Sequence, residues 1–153
     1  DSAFVGGLVV AVLTLTATFT ALVLQKRAGL QVLMIGTVSL ISGVSVTLLG
    51  VYLHMAALMM VGAIITGVGF GSCYSGALRI VLPLAHVHER AGLLSTFFVQ
   101  SYLAFSLPSI AVGLVAPRLG LSNAAYLYGA IVIVLAAISL AAMRSTKPEP
   151  SAA

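Results

Sequence analysis

No Asp, Glu, Lys or Arg interrupts residues 28–78, whose sequence is AGLQVLMIGTVSLISGVSVTLLGVYLHMAALMMVGAIITGVGFGSCYSGAL. An α-helix rises about 1.5 Å per residue, so about 20 apolar residues cross a 30 Å hydrocarbon core. This stretch is long enough for two crossings, and its natural break is the Tyr52–Leu53–His54 region. A helical prediction is favoured because an isolated strand in a bilayer leaves its backbone groups without hydrogen bonds.

The rest of the chain repeats this pattern. Of its 153 residues, 61% are hydrophobic and 7% are charged, whereas a soluble domain carries roughly 25% charged residues. Three further charge-free intervals each fit one crossing: residues 2–25, 91–117 and 119–143. We therefore predict an all-α membrane protein with a transmembrane domain over residues 1–143 and a disordered polar tail over residues 144–153. The five predicted spans are 3–24, 30–53, 55–82, 91–116 and 121–143.

The basic residues lie mostly on one side of these spans. Only Arg118 falls on the opposite side. The positive-inside rule makes the richer side cytoplasmic, so we expect a multi-pass plasma-membrane protein with a cytoplasmic C-terminus. Membrane topology explains the net charge of +4 without a nucleic-acid partner. The six basic residues on the richer side are Lys26, Arg27, Arg79, Arg90, Arg144 and Lys147.

This orientation places Asp1 outside, although no signal sequence or initiator Met precedes the first span. We expect the chain to be the C-terminal part of a longer protein with at least one preceding span. A processed five-span protein is the alternative.

Small residues in the third span suggest close helix packing. Gly67 and Gly71 form a G-x-x-x-G pair, and Ser75 continues it at the next step of four. Small residues at this spacing let two helix backbones approach closely. A phosphate-binding glycine loop is disfavoured because Ser72 stands where its last glycine would be. In the fourth span, Pro108 removes a backbone donor, so a kink is expected there.

Gln100 is the most polar side chain well inside any span. One interpretation is an interhelical hydrogen bond, and the other is a group that lines a substrate cavity. Tyr74 and Tyr102 are weaker cavity candidates, since tyrosine also serves ordinary packing.

Catalytic chemistry finds little support in the sequence. Cys73 is alone, and His86 and His88 have only Glu89 beside them. A metal site would need further ligands nearby. The carboxylates are Asp1, Glu89 and Glu149, so no span offers an acid for a triad or a proton relay. We predict no catalytic residue, no metal and no cofactor, and therefore not an enzyme.

The sequence of residues 67–108, GVGFGSCYSGALRIVLPLAHVHERAGLLSTFFVQSYLAFSLP, resembles the major facilitator superfamily of secondary transporters. It is similar to the tenth helix, the following cytoplasmic loop and the eleventh helix of family members. The resemblance implies that the five spans are helices eight to twelve, a partial six-helix C-terminal bundle. It also implies that the first, third and fourth spans line the substrate path and that the second and fifth pack outside.

The same resemblance suggests a cytoplasmic gate. It implies that Arg79, Glu89 and Arg90 help to hold the cytoplasmic helix ends together, with plain capping as the alternative. Glu89 is expected in the first turn of the fourth span, where the helix dipole favours an anion. The loop LQKRAGLQ, residues 24–31, is similar to the basic loop motif of the family through Arg27 and Gly29, but it lacks the usual aspartate.

The expected function is alternating-access transport of a small solute, with efflux of hydrophobic compounds favoured. The expected partners are the lipid bilayer, the N-terminal half of the same transporter, the solute and, as coupling ion, protons. The alternative is a complete five-span membrane scaffold without transport activity.

Overall fold

The protein, described here for residues 2–145 of a computed structural model, is all-helical, with no strand in that range. Each of five helices is long and apolar enough to span a membrane, which confirms the all-α prediction and fits a multi-pass membrane protein. Short 3-10 turns, Leu24–Lys26 and Leu82–Leu84, follow the first and third helices. The α-helices are α1 (Ser2–Val23), α2 (Gly29–Tyr52), α3 (Ala56–Val81), α4 (Arg90–Leu119) and α5 (Leu121–Ser145).

The break between α2 and α3 lies where the sequence placed it. Helix α2 ends at Tyr52, and the N–H of Leu53 still donates to the carbonyl of Leu49 at 2.9 Å. His54 then adopts a φ of 53°. A residue in this left-handed conformation commonly ends a helix, so α2 and α3 run antiparallel and are joined by a turn of three residues.

The C-terminal boundary of α4 differs from the prediction. The fourth span was expected to end at Ala116, before Pro117, but the helix continues to Leu119. Proline removes only one N–H, and the following turn keeps its bonds, since the N–H of Gly120 donates to the carbonyl of Ala116 at 2.9 Å. Gly120 ends the helix with a φ of 82°, a conformation that glycine adopts at little cost.

The first two residues of the predicted tail are helical. Arg144 and Ser145 belong to the last turn of α5, and the Ser145 hydroxyl donates to the carbonyl of Ala142 at 2.9 Å. A cation in the last turn is favoured by the helix dipole. Asp1 and residues 146–153 lie outside the described residues.

Helix α3 packs between α1 and α2, and α5 contacts both α2 and α4. The α2–α3 interface is close because glycines face backbone. A Cβ on Gly36 would lie 2.6 Å from the nitrogen of Cys73, and a Cβ on Gly69 would lie 2.5 Å from the nitrogen of Leu40. Without a hydrophobic driving force in lipid, such close contact provides the packing energy.

A second glycine face of α3 meets α1. A Cβ on Gly67 would lie 2.7 Å from the carbonyl oxygen of Leu13, and one on Gly71 would collide with the carbonyl of Ala17. Ser75, predicted to extend this stripe, is half-buried and donates to the carbonyl of Ser72 in its own helix at 3.4 Å.

Helix α4 stands apart from this tight core. None of residues 90–119 is buried. The helix runs through Pro108, which lines a small pocket against α5 with Ala124 and Leu127. Helix α4 therefore leaves open grooves beside α3.

Candidate functional site

Aromatic side chains bridge α3 and α4. The Phe70 ring lies edge-to-face on Phe105 with centroids 5.3 Å apart, and the Tyr74 ring lies edge-to-face on Phe97 at 5.2 Å. Phe98 adds a tilted contact with Tyr74 at 6.4 Å. Aromatic pairs favour these geometries. We call these five residues the aromatic cluster.

Only Tyr74 of this cluster was singled out from the sequence. Phe70 and Tyr74 are four residues apart, as are neighbours on one helical face, and Phe97 and Phe98 precede Phe105 by two turns. That spacing was visible in the sequence, but which helix would face which was not.

Gln100 lines a groove of about 600 Å³ beside the aromatic cluster, here called the α4 groove. The hydroxyls of Thr96 and Ser101 also line it, and they donate to the carbonyls of Gly92 and Phe97 in their own helix. Among the side chains described, those of residues 7–145, none forms a hydrogen bond with the Gln100 amide from another helix. The amide is therefore the polar group that this groove offers to a ligand. The complete lining is Val81, Leu93, Thr96, Phe97, Gln100, Ser101 and Ala104.

A second groove of about 480 Å³ runs between α1 and α3, here called the α1/α3 groove. Along α1 and the 3-10 turn that follows it, the groove extends from Leu13 to Gln25, and α3 contributes Phe70 and Tyr74. Tyr74 thus borders this groove and also contacts Phe97, which lines the α4 groove. The aromatic cluster therefore lies between the two grooves.

Arg79 closes the end of the α1/α3 groove and ties α3 to the end of α1. Its Nη1 donates to the carbonyl of Leu24 at 2.7 Å and to that of Arg27 at 3.2 Å, and its Nη2 donates to that of Ala21 at 3.5 Å. The last carbonyls of a helix have no partner in the helix itself, and a cation stabilises that end. Arg79 therefore acts as a C-cap supplied by another helix.

Arg27 contributes its backbone, not its side chain, to this arrangement. Its carbonyl accepts from Arg79 at 3.2 Å, and its side chain is exposed next to that of Lys26. The sequence indicated Arg27 and Arg79 as separate candidates, but it did not predict that Arg79 would donate to the Arg27 carbonyl.

Glu89 is not in the first turn of α4, as the sequence had suggested. It occupies the N-cap position, and its side chain makes no capping hydrogen bond. Its Oε1 lies 3.8 Å from Nε2 of His88, and both side chains are exposed. The expectation failed because α4 begins at Arg90, one residue after Glu89.

The remaining candidates lie apart from the grooves. Tyr102 is 70% exposed on α4 and lines neither groove. The rings of His86 and His88 stack in parallel with centroids 5.8 Å apart. The Cys73 sulfur lies 3.7 Å from Oγ1 of Thr37 at the α2–α3 interface.

No protein-family model matches the chain, and no curated protein or solved structure matches it at the threshold we applied.

Proposed function

We propose that the chain is part of a secondary transporter that moves a small solute across the membrane by alternating access. The resemblance of residues 67–108 to the major facilitator superfamily motivates this proposal. On that resemblance the chain supplies helices eight to twelve of such a transporter, and the preceding helices come from its other half. The substrate path would follow α1, α3 and α4.

The observation that carries the proposal is the Gln100 amide in the α4 groove. A polar side chain within a span is costly unless it finds partners, and such residues commonly line solute pathways. A volume of about 600 Å³ lies within the range of roughly 300–1,000 Å³ for small-molecule sites. Gln100 would therefore contact the solute directly.

The hydrogen bonds of Arg79 support the proposal that it forms part of a gate at the basic end of the bundle. Alternating access requires helix ends that separate in one state and join in the other. The bonds from Arg79 to Leu24 and Arg27 join α3 to α1 in the state described here. Side chain–carbonyl hydrogen bonds can exchange for water at an interface, so they suit a contact that opens and closes.

We propose protons as the coupling ion. Glu89 is the sole carboxylate side chain among residues 2–145, and it lies in the loop before α4. Proton coupling would therefore not use a carboxylate within the described spans. Efflux of apolar compounds is the direction that the apolar groove walls favour.

The test is Gln100→Ala in the native membrane context of the chain. We expect transport of the responsive solutes to fall by about tenfold, the value of one good hydrogen bond, with an unchanged amount of protein in the membrane. The measurement is solute flux per unit of membrane protein across a panel of apolar and amphiphilic compounds. Gln31→Ala is the matched control, because Gln31 lies in α2 outside both grooves.

Equal flux for the two variants across the panel would remove Gln100 from the path. A complete absence of flux in the unsubstituted protein would favour the five-span scaffold.

A further inference from the structure

The α1/α3 groove is apolar along its length and basic at one end. Its α1 wall, from Leu13 to Leu22, is about 14 Å long at 1.5 Å per residue. The rings of Phe70 and Tyr74 form part of the opposite wall, and Arg79 stands at the end. An elongated apolar body fits the walls, and a polar head group would reach Arg79.

The charged side chain that lines this groove is the cation Arg79. Its guanidinium donates to the backbone carbonyl of Arg27, and the side chains of Lys26 and Arg27 are exposed. Among residues 2–145 the sole carboxylate side chain, Glu89, lies 3.8 Å from His88 at the start of α4. A cationic head group would therefore meet a like charge at Arg79, and an anionic one would meet an opposite charge.

Arg79 has donors left for an anion. A guanidinium carries five N–H groups, and three bonds to carbonyls are made by Arg79 within the described residues. These bonds hold the guanidinium in place, so its remaining N–H groups are already oriented. Charge-assisted bonds from arginine to oxyanions are strong and short.

The Thr14 and Thr18 hydroxyls do not change this polarity. Both line the groove, and they donate to the carbonyls of Val10 at 2.8 Å and Thr14 at 2.9 Å in their own helix. The middle of the groove therefore presents aliphatic and aromatic surface, and polar recognition is concentrated at the Arg79 end.

We propose that the α1/α3 groove binds an anionic amphiphile: a small solute with an apolar or aromatic body and a carboxylate-type head group. The body lies along α1 against Phe70 and Tyr74, and the head group contacts Arg79. A volume of about 480 Å³ suits a free small molecule. The inference rests on the proposed function for the solute's transport, but binding itself does not require transport.

The experiment compares three probes that share one aromatic body. The probes are 1-pyrenebutanoate, its neutral amide and the corresponding cationic amine. Binding is measured by fluorescence anisotropy to the chain in phosphatidylcholine nanodiscs at low salt, with empty nanodiscs subtracted. We expect the carboxylate to bind about tenfold or more tightly than the amine, with the amide between them. Salt should reduce the carboxylate's advantage.

Variants assign the site. Arg79→Gln should lower carboxylate affinity about tenfold and change amide affinity less than twofold, and Arg79→Lys should restore part of the loss. Thr18→Phe, at an exposed position, should fill the groove and weaken all three probes alike. Arg118→Gln, at the opposite end of the bundle, should change none. Equal affinity of the three probes for the unsubstituted chain, or unaltered binding in Thr18→Phe, would overturn the proposal.

A bilayer lipid is distinguished from a free solute by adding phosphatidylglycerol to the nanodiscs. Retention of that lipid by the chain, with displacement of the carboxylate probe, would make the lipid the occupant and overturn the assignment to a small solute. Probe binding without any flux in proteoliposomes would sink the transport proposal and leave the site standing. Flux that does not depend on the charge of the probe would support transport and overturn the proposed anion site.

Discussion

At the scale of single residues, Arg79 links two parts of the molecule that the chain places far apart. It donates to the carbonyls of Ala21 in α1, Leu24 in the following 3-10 turn and Arg27 beyond that turn, and it borders the α1/α3 groove. A lysine offers one compact ammonium, whereas the planar guanidinium can serve several carbonyls at once. The identity of this residue therefore affects both the helix junction and the chemistry of the groove.

Arg79→Ala should destabilise the junction of α1 and α3. The change removes all three bonds, but Arg79 is only half-buried, so water can replace part of the loss. We expect the free energy of unfolding to fall by about 1–2 kcal/mol. Unfolding by sodium dodecyl sulfate in mixed micelles measures this, with Arg118→Ala as the control expected to cost less than about 0.5 kcal/mol. Equal losses for the two alanine variants would show that the capping bonds contribute nothing specific.

At the scale of helices, α3 is organised by two glycine faces and one aromatic face. Gly69 faces α2, Gly67 and Gly71 face α1, and Phe70 and Tyr74 face α4. Small residues bring backbones together on two sides, while rings hold α4 at a distance on the third. The grooves beside α4 follow from this difference in side-chain size along a single helix.

Gly36→Ala should separate α2 from α3. The added Cβ would lie 2.6 Å from the backbone nitrogen of Cys73, and a backbone atom cannot move aside as a side chain can. We expect a loss of about 2 kcal/mol or more in the unfolding free energy, in the range of overpacking effects. The same detergent titration applies.

The matched control for that substitution is Gly113→Ala. A Cβ at Gly113 in α4 meets nothing within 4 Å, and alanine is favoured over glycine in a helix by up to about 1 kcal/mol. This variant should be neutral or more stable. If Gly36→Ala were as stable as Gly113→Ala, the close α2–α3 contact would be wrong.

At the scale of the whole molecule, the sequence predicted the helices better than their arrangement. Long charge-free intervals define the spans, because a charged side chain is unfavourable in the bilayer core on whichever side of the helix it lies. The arrangement depends on which side of each helix meets a neighbour, and the apolar residues of a long span do not reveal that side. The aromatic cluster, the partners of Arg79 and the glycine face toward α2 were therefore missed.

Gln100 illustrates the same limit within the candidate site. The sequence identified it as the unusual polar group and left open whether it bonds another helix or lines a cavity. Its position in the α4 groove depends on how far α4 stands from α3, and this distance is determined by rings on both helices. The sequence identified Gln100 as an unusual polar residue, but the groups around it could be seen only in the packed structure.

The orientation of the bundle is tested by single cysteines in a Cys73→Ser background. Val87 lies in the α3–α4 loop, before α4 begins, and is 79% exposed. Ser122 is exposed at the start of α5, just after the other end of α4. The loops carrying Lys26, Arg27 and Arg90 should be cytoplasmic by the positive-inside rule. In intact cells, a membrane-impermeant maleimide should label Ser122→Cys and leave Val87→Cys unlabelled until the membrane is permeabilised. Reversed labelling would invert the bundle and place Arg79 on the outer surface, where a cytoplasmic gate is impossible. Labelling of both cysteines from the same side would show that α4 does not cross the membrane.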